Sequence, residues 1–152
     1  MNYEKVNEWI LHRCYGSGVA ICLHDGNKSA IISNEVFFNM PSTELLIRAD
    51  RFGIGSDGLY KSIIEGLDYS ETATFHGDMI VSKIGNKRYT LNKLYNGSTF
   101  RFVSEKLIKL FEDKTRVQEF RFSDDIIKYP IIYILEDNVV IGGILPVKYN
   151  EV

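Results

Sequence analysis

Proline is scarce in this chain, with only Pro41, Pro130 and Pro146 in 152 residues. No low-complexity stretch or block of like charge marks a linker or tail either. Cysteine is scarcer still: Cys14 and Cys22, eight apart, with no secretory leader before them. That excludes a disulfide framework and reads as ordinary buried thiols of a cytoplasmic protein. His12, His24 and His76 are scattered without metal-ligand spacing, so neither metal nor cofactor is expected. No apolar run approaches the roughly 18 residues of a membrane-spanning helix, and no membrane partner is expected. Excess charge is missing too. Eighteen basic and twenty acidic residues leave a net −2, with an isoelectric point near 5.9. This excludes a protein held to nucleic acid by bulk charge, but not a local basic face on an acidic body.

What is present suffices for one domain. At 45 % hydrophobic residues the chain is globular and long enough to bury a core. Its organising stretch is residues 43–67. A strand-like run (Thr43-Glu-Leu-Leu-Ile-Arg-Ala-Asp50) meets a glycine corner (Phe52-Gly-Ile-Gly-Ser-Asp-Gly58) and then a helix-like run (Leu59-Tyr-Lys-Ser-Ile-Ile-Glu-Gly66). Gly53, Gly55, Ser56 and Gly58 form a candidate ligand loop of the Gly-x-Gly-x-x-Gly kind. The plainer alternative is a strand-to-helix corner capped by Ser56 or Asp57.

Along the chain, Asn2 can cap a helix over residues 3–14, where Tyr3, Val6, Ile10 and Cys14 recur at helical spacing. Gly16 and Gly18 end it. Residues 18–24 and 28–33 read as a hairpin around Asp25-Gly26, and residues 35–39 as a further strand ended by Pro41. After Gly66 the pattern changes to period two. Strands over 69–76, 79–84, 87–95 and 98–103 are separated by turns at Gly77-Asp78, Gly85-Asn86 and Asn96-Gly97. Ser104 can cap a third helix over 105–112, with Leu107, Ile108, Leu110 and Phe111 as its apolar face. Strands over 115–122, 130–135 and 139–149 complete the chain. Gly142-Gly143 suggests a bulge or a close backbone approach.

A short helix followed by about three antiparallel strands thus recurs every fifty residues or so, in units 1–50, 51–97 and 98–152. The expected class is α+β: mostly antiparallel sheet with three short helices in helix-plus-strands repeats.

That order resembles the half-domain unit of DNA sliding clamps. The run Ser98-Thr-Phe-Arg-Phe-Val-Ser-Glu-Lys-Leu-Ile-Lys-Leu-Phe111 is similar to a clamp strand entering a short helix. Gly143-Ile-Leu-Pro-Val-Lys148 is similar to a clamp's closing strand, and Gly18-Val-Ala-Ile-Cys-Leu-His-Asp-Gly-Asn-Lys28 to the opening of a clamp domain. About three half-units are present where a clamp domain has two. The resemblance implies a non-enzymatic DNA-replication accessory, contacting the backbone of duplex DNA non-specifically through Lys5, Arg13, Lys61, Lys106 and Lys109. It also implies a replication or other protein partner docking at Leu145, Pro146 and Val147, and a homo-oligomer if a ring forms.

A second, local resemblance is to diaminopimelate epimerases, at Asp50-Arg-Phe-Gly-Ile-Gly-Ser-Asp-Gly-Leu59. Gly85-Asn86 then falls near that family's Gly-Asn after its catalytic cysteine, but Ile84 stands where the cysteine belongs. The resemblance implies a small-molecule-binding domain without the two-base chemistry. A dinucleotide site fits poorly, because Glu44, Arg48 and Asp50 interrupt the apolar strand it needs. A small phage-type inhibitor is the remaining alternative, permitted by size alone. No nucleophile elbow is present and no catalytic residue is assigned.

Overall fold

The computed structural model describes residues 1–15, 20–47, 52, 69–123 and 130–149. Helix α1 (Tyr3–Tyr15) is followed by strands β1 (Ile21–Asp25), β2 (Lys28–Ile32) and β3 (Val36–Pro41) and a 3-10 turn at Ser42–Glu44. Then come β4 (Tyr69–Phe75), β5 (Ile80–Ile84), β6 (Lys87–Tyr95), β7 (Phe100–Ser104), the one-turn helix α2 (Glu105–Ile108), β8 (Glu119–Ser123), β9 (Ile132–Glu136) and β10 (Val139–Ile144).

Every pairing among these strands is antiparallel. The order is β1-β2-β3-β10-β9-β8-β4-β6-β5, with β7 on the other edge of β6. The last strands of the chain therefore lie mid-sheet. Beyond β10 the chain returns to β7, where the Val147 N–H donates to the Phe102 carbonyl at 2.7 Å. That isolated antiparallel bridge ties the segment after β10 to β7.

The main core draws on helix and strands alike. From α1 come Val6 and Ile10, from the strands Phe38, Leu94, Val103, Phe122, Ile132, Ile134 and Ile144, and from the segment after α2 Phe111. Helical spacing puts Val6 and Ile10 on one face of α1, and the Asn2 side chain caps that helix by accepting the Lys5 N–H at 3.1 Å. Strand alternation sends Phe38 inward and Phe37 outward. Phe37 joins Tyr133, Leu135 and Val140 in a second buried cluster.

Gly142 and Gly143 serve these two clusters separately. A Cβ on Gly142 would lie 2.4 Å from the Phe111 ring and 2.5 Å from the Phe37 carbonyl oxygen. One on Gly143 would lie 2.4 Å from the Phe37 ring. Both a bulge and a close approach are present, since the β9–β10 register shifts between Val140 and Gly142.

The α+β expectation with three short helices is corrected by this architecture. The described residues hold two helices and ten strands, which makes this a predominantly β protein rather than a set of helix-plus-strands repeats. The helix expected over 105–112 stops after one turn. Leu110 and Phe111 then donate to Leu107 and Ile108 in tighter i→i−3 bonds, and both side chains turn into the core. Residues 43–47 are not a strand. The Asn7 side chain captures this segment, donating to the Glu44 carbonyl and accepting the Leu46 N–H, both at 2.8 Å. The helix expected near 59–66 lies outside the described residues. No helix among the described residues is long and apolar enough to cross a membrane.

Gly142→Ala is expected to destabilise the protein by about 3 kcal/mol, because the nearest obstacle includes backbone that cannot yield. Thermal melts check this: a midpoint drop near 10 °C is the expected size, and an unchanged midpoint would show that the ring and strand separate freely.

Candidate nucleic-acid interface

From Met79 to Ser104 the chain has no acidic residue and five basic ones: Lys83, Lys87, Arg88, Lys93 and Arg101. The other thirteen basic residues share the rest of the chain with all twenty acidic ones. The protein is therefore an acidic body carrying one basic region, built on β5, β6 and β7.

The strand register shapes that region. β5 pairs residues 80–84 with residues 87–91 of β6, across the Gly85-Asn86 turn. Gly85 has φ +63°, a conformation that favours glycine. β7 joins β6 only from Leu91 onward, and β4 touches it only at Leu94 and Tyr95. Residues 81–90 consequently form a two-stranded ribbon with both outer edges unpaired among the described residues. Lys83, Lys87 and Arg88 stand exposed near its tip. Among the described residues none of the three has an ion-pair partner. Val81 is 63 % exposed and Tyr89 is 40 % exposed, so neither face of the ribbon packs on the body.

Where the ribbon meets the body, an aromatic layer covers the outer face of β6 and β7. Tyr95 and Phe100 are direct cross-strand partners and stack with centroids 4.4 Å apart. The His76 ring lies 5.2 Å from Phe100 and 5.7 Å from Tyr95. Lys93 holds its Nζ 4.2 Å from the Phe100 centroid and 5.9 Å from that of Phe102. Tyr149 meets Phe102 edge to face at 5.1 Å. Phe100 remains 45 % exposed.

Arg101 belongs to the opposite face of β7 and is committed to the body. Its guanidinium donates to the Ser123 hydroxyl at 3.1 Å, the Ser123 carbonyl at 3.0 Å and the Ile131 carbonyl at 2.9 Å. It also lies over the Phe122 ring. Lys83, Lys87 and Arg88 thus carry the exposed charge of the ribbon tip, and Lys93 lies over the rings at its base.

Other chemistry is arranged differently. The Ser29 hydroxyl bridges His24 Nδ1 at 2.9 Å and the Ser42 hydroxyl at 2.8 Å, while the Cys22 sulfur lies 3.8 Å from His24 Nε2. His24 sits in β1. The Met1 ammonium is buried against Glu136, which also accepts from Gln118 at 3.0 Å. The Tyr3 hydroxyl titrates above its ordinary range because of burial first and the Glu136 charge second. Asp113 titrates low because the Thr115 hydroxyl and N–H bond its carboxylate, and Glu119 because the Thr72 hydroxyl and Arg121 do. None of these groups lies on the basic region. No group of three or more potential metal ligands occurs among the described residues.

The site residues expected from the sequence are dispersed. Lys5 is exposed on α1, and Lys106 and Lys109 are exposed at and just after α2. Arg13 pairs with Glu35 and lies 4.9 Å over Trp9. Lys61 and the candidate loop Gly53, Gly55, Ser56 and Gly58 lie outside the described residues. Leu145, Pro146 and Val147 form the strap from β10 to β7: the Leu145 N–H donates to Glu35 and the Val147 N–H to Phe102. Sequence reading passed over the ribbon cations, although the acid-free interval of residues 79–104 is the signal that finds them.

No protein family, no curated protein and no solved structure matches this chain.

Arg101→Met is expected to cost about 3 kcal/mol, since it leaves three acceptors without their shared cation while keeping contact with Phe122. Urea unfolding measures the loss. A midpoint shift below a tenth of the wild-type value would mean that this anchor contributes little.

Proposed function

We propose that this protein is a non-enzymatic nucleic-acid-binding module whose β5–β6 ribbon contacts the phosphate backbone. One observation carries the reading: Lys83, Lys87 and Arg88 stand exposed on a two-stranded projection within a 26-residue interval free of acid, on a body rich in it. Cations paired with carboxylates contribute little to a polyanion contact. Cations held apart from them release counterions when a phosphate approaches. A two-stranded ribbon is also narrow enough for the major groove of a duplex. The acidic remainder of the surface repels the same polyanion, which confines contact to one side.

A protein-binding role has its own supporting feature. The edge of β5 left unpaired among the described residues is flanked by Met79, 58 % exposed, and by Val81. An extended peptide can add to such an edge. Lysine and arginine at the ribbon tip would favour an acidic segment.

Anisotropy titrations with a labelled oligonucleotide across a salt series test the main reading. Wild-type affinity is expected to fall steeply with salt. Combined Lys83→Glu, Lys87→Glu and Arg88→Glu changes should lower affinity at least tenfold at low salt. They should also reduce the log–log slope by about two to three, at roughly 0.7–0.9 per lost phosphate contact. Salt-independent binding, or a triple variant that binds like wild type, would overturn the proposal.

A further inference from the structure

The aromatic layer at the base of the ribbon calls for an explanation that backbone contact does not supply. Tyr95, Phe100 and His76 gather their rings within 6 Å of one another on an outward sheet face, and Phe100 is nearly half exposed. Solvated strand faces ordinarily carry polar side chains. Lys93 adds a positive charge over the same rings. We infer that this face is a stacking platform for the unpaired bases of a single-stranded nucleic acid, whose phosphates continue toward Lys87 on the same face of β6. The inference rests on the nucleic-acid reading above and deepens it.

Three considerations lead there. First, every base offers a flat π-face once it is unstacked, and exposed aromatic rings beside cations bind such faces without demanding a sequence. Second, a duplex hides those faces. Its major groove, about 12 Å wide, admits two strands but not the three-stranded face of β4, β6 and β7. The ribbon tip alone can reach a duplex, and the aromatic layer then contacts nothing. Third, positive charge shares the face of the rings: Lys87 and Lys93 lie an even number of residues before Tyr95 on β6, with no carboxylate in that stretch of the strand, while Lys83 and Arg88 belong to the other face of the ribbon tip.

The Tyr95–Phe100 pair also stabilises the β6–β7 pairing, as cross-strand aromatic partners do. A test must therefore separate stacking on a base from stacking within the sheet. Phe100→Leu keeps an apolar side chain against Tyr95 and removes the π-face, and His76→Ala is a second, independent removal. Each variant is titrated with an oligothymidylate, with an abasic oligomer of equal phosphate number, and with a duplex of equal length. Melting curves confirm that each variant is folded.

The wild-type protein is expected to bind the oligothymidylate more tightly than either the abasic oligomer or the duplex. Phe100→Leu should weaken oligothymidylate binding about five- to 150-fold, the range for one lost base–aromatic stack. Its salt slope and its affinity for the abasic oligomer should not change. If the oligothymidylate and the abasic oligomer bind wild type equally, or if both variants stay within twofold of wild type, the platform is disproved while salt-dependent binding leaves the backbone reading intact. A duplex bound more tightly than the single strand disproves it in the same way. If no oligonucleotide binds at all, the nucleic-acid reading falls and this inference falls with it.

Discussion

The contact on which this fold turns is a phenyl ring laid against a bare strand. Phe111 sits where a side chain on Gly142 would otherwise stand, and it stacks at 5.3 Å on Phe38, which in turn meets Trp9 of α1 edge to face. Because β10 lies between β3 and β9, this stack ties the helix, the segment after α2 and the mid-sheet strands together. Gly143 does the same on the reverse face, where Phe37 occupies the space over the backbone. Two adjacent glycines therefore admit two phenylalanines on opposite sides of one strand. Fully burying such a ring contributes about 1.5–3 kcal/mol, which exceeds the roughly 0.5–1 kcal/mol that a glycine costs in a strand.

Charge is partitioned as sharply as apolar surface. The body commits its ions locally: Glu136 to the Met1 ammonium, Gln118 and Arg116, Glu35 to Arg13, Glu119 to Thr72 and Arg121. Arg101 is drawn inward by the Ser123 and Ile131 carbonyls. The cations of the ribbon tip have no such partners among the described residues. A net charge of −2 thus averages two unlike surfaces and conceals the one with a distinct electrostatic character.

Local turn chemistry made the hairpins readable. Gly85-Asn86 and the 79–95 alternation announce themselves and appear at the expected place, while the turn expected at Asp25-Gly26 falls one residue on, at Gly26-Asn27, with Asp25 paired to Lys28. The cap at Asn2 was legible because it depends on neighbouring residues alone, whereas the glycine pair at 142–143 signalled a close approach without revealing Phe111 and Phe37 as the rings that make it. What failed depended on distant partners. Nothing near residues 43–47 says that the Asn7 side chain will hold them as a turn, and the apolar periodicity of 105–112 does not reveal that Phe111 is needed flat on a strand thirty positions later. Strand order is likewise invisible: the insertion of β10 between β3 and β9 comes from long-range pairing. For the candidate site, the clamp resemblance implied cations at helical positions, whereas the distinctive property of the sequence is the absence of acid over residues 79–104.

Unpaired edges explain why the ribbon carries charge, but not which charge. A two-stranded projection with free N–H and C=O groups invites pairing with other chains, and charged side chains on it deter that. Glutamate would protect the edges as well as lysine does. If protection were the whole requirement, a mixture of signs would be expected, because opposite charges across the strands also favour the hairpin. Instead Lys83 faces Arg88 directly in the register, a like-charge pair that opposes hairpin formation. A fold that keeps this repulsion at an exposed ribbon tip is weakened by it in isolation. The repulsion is relieved when an anion lies across both side chains, so the proposed polyanion accounts for the sign of the charge and for the position of the pair.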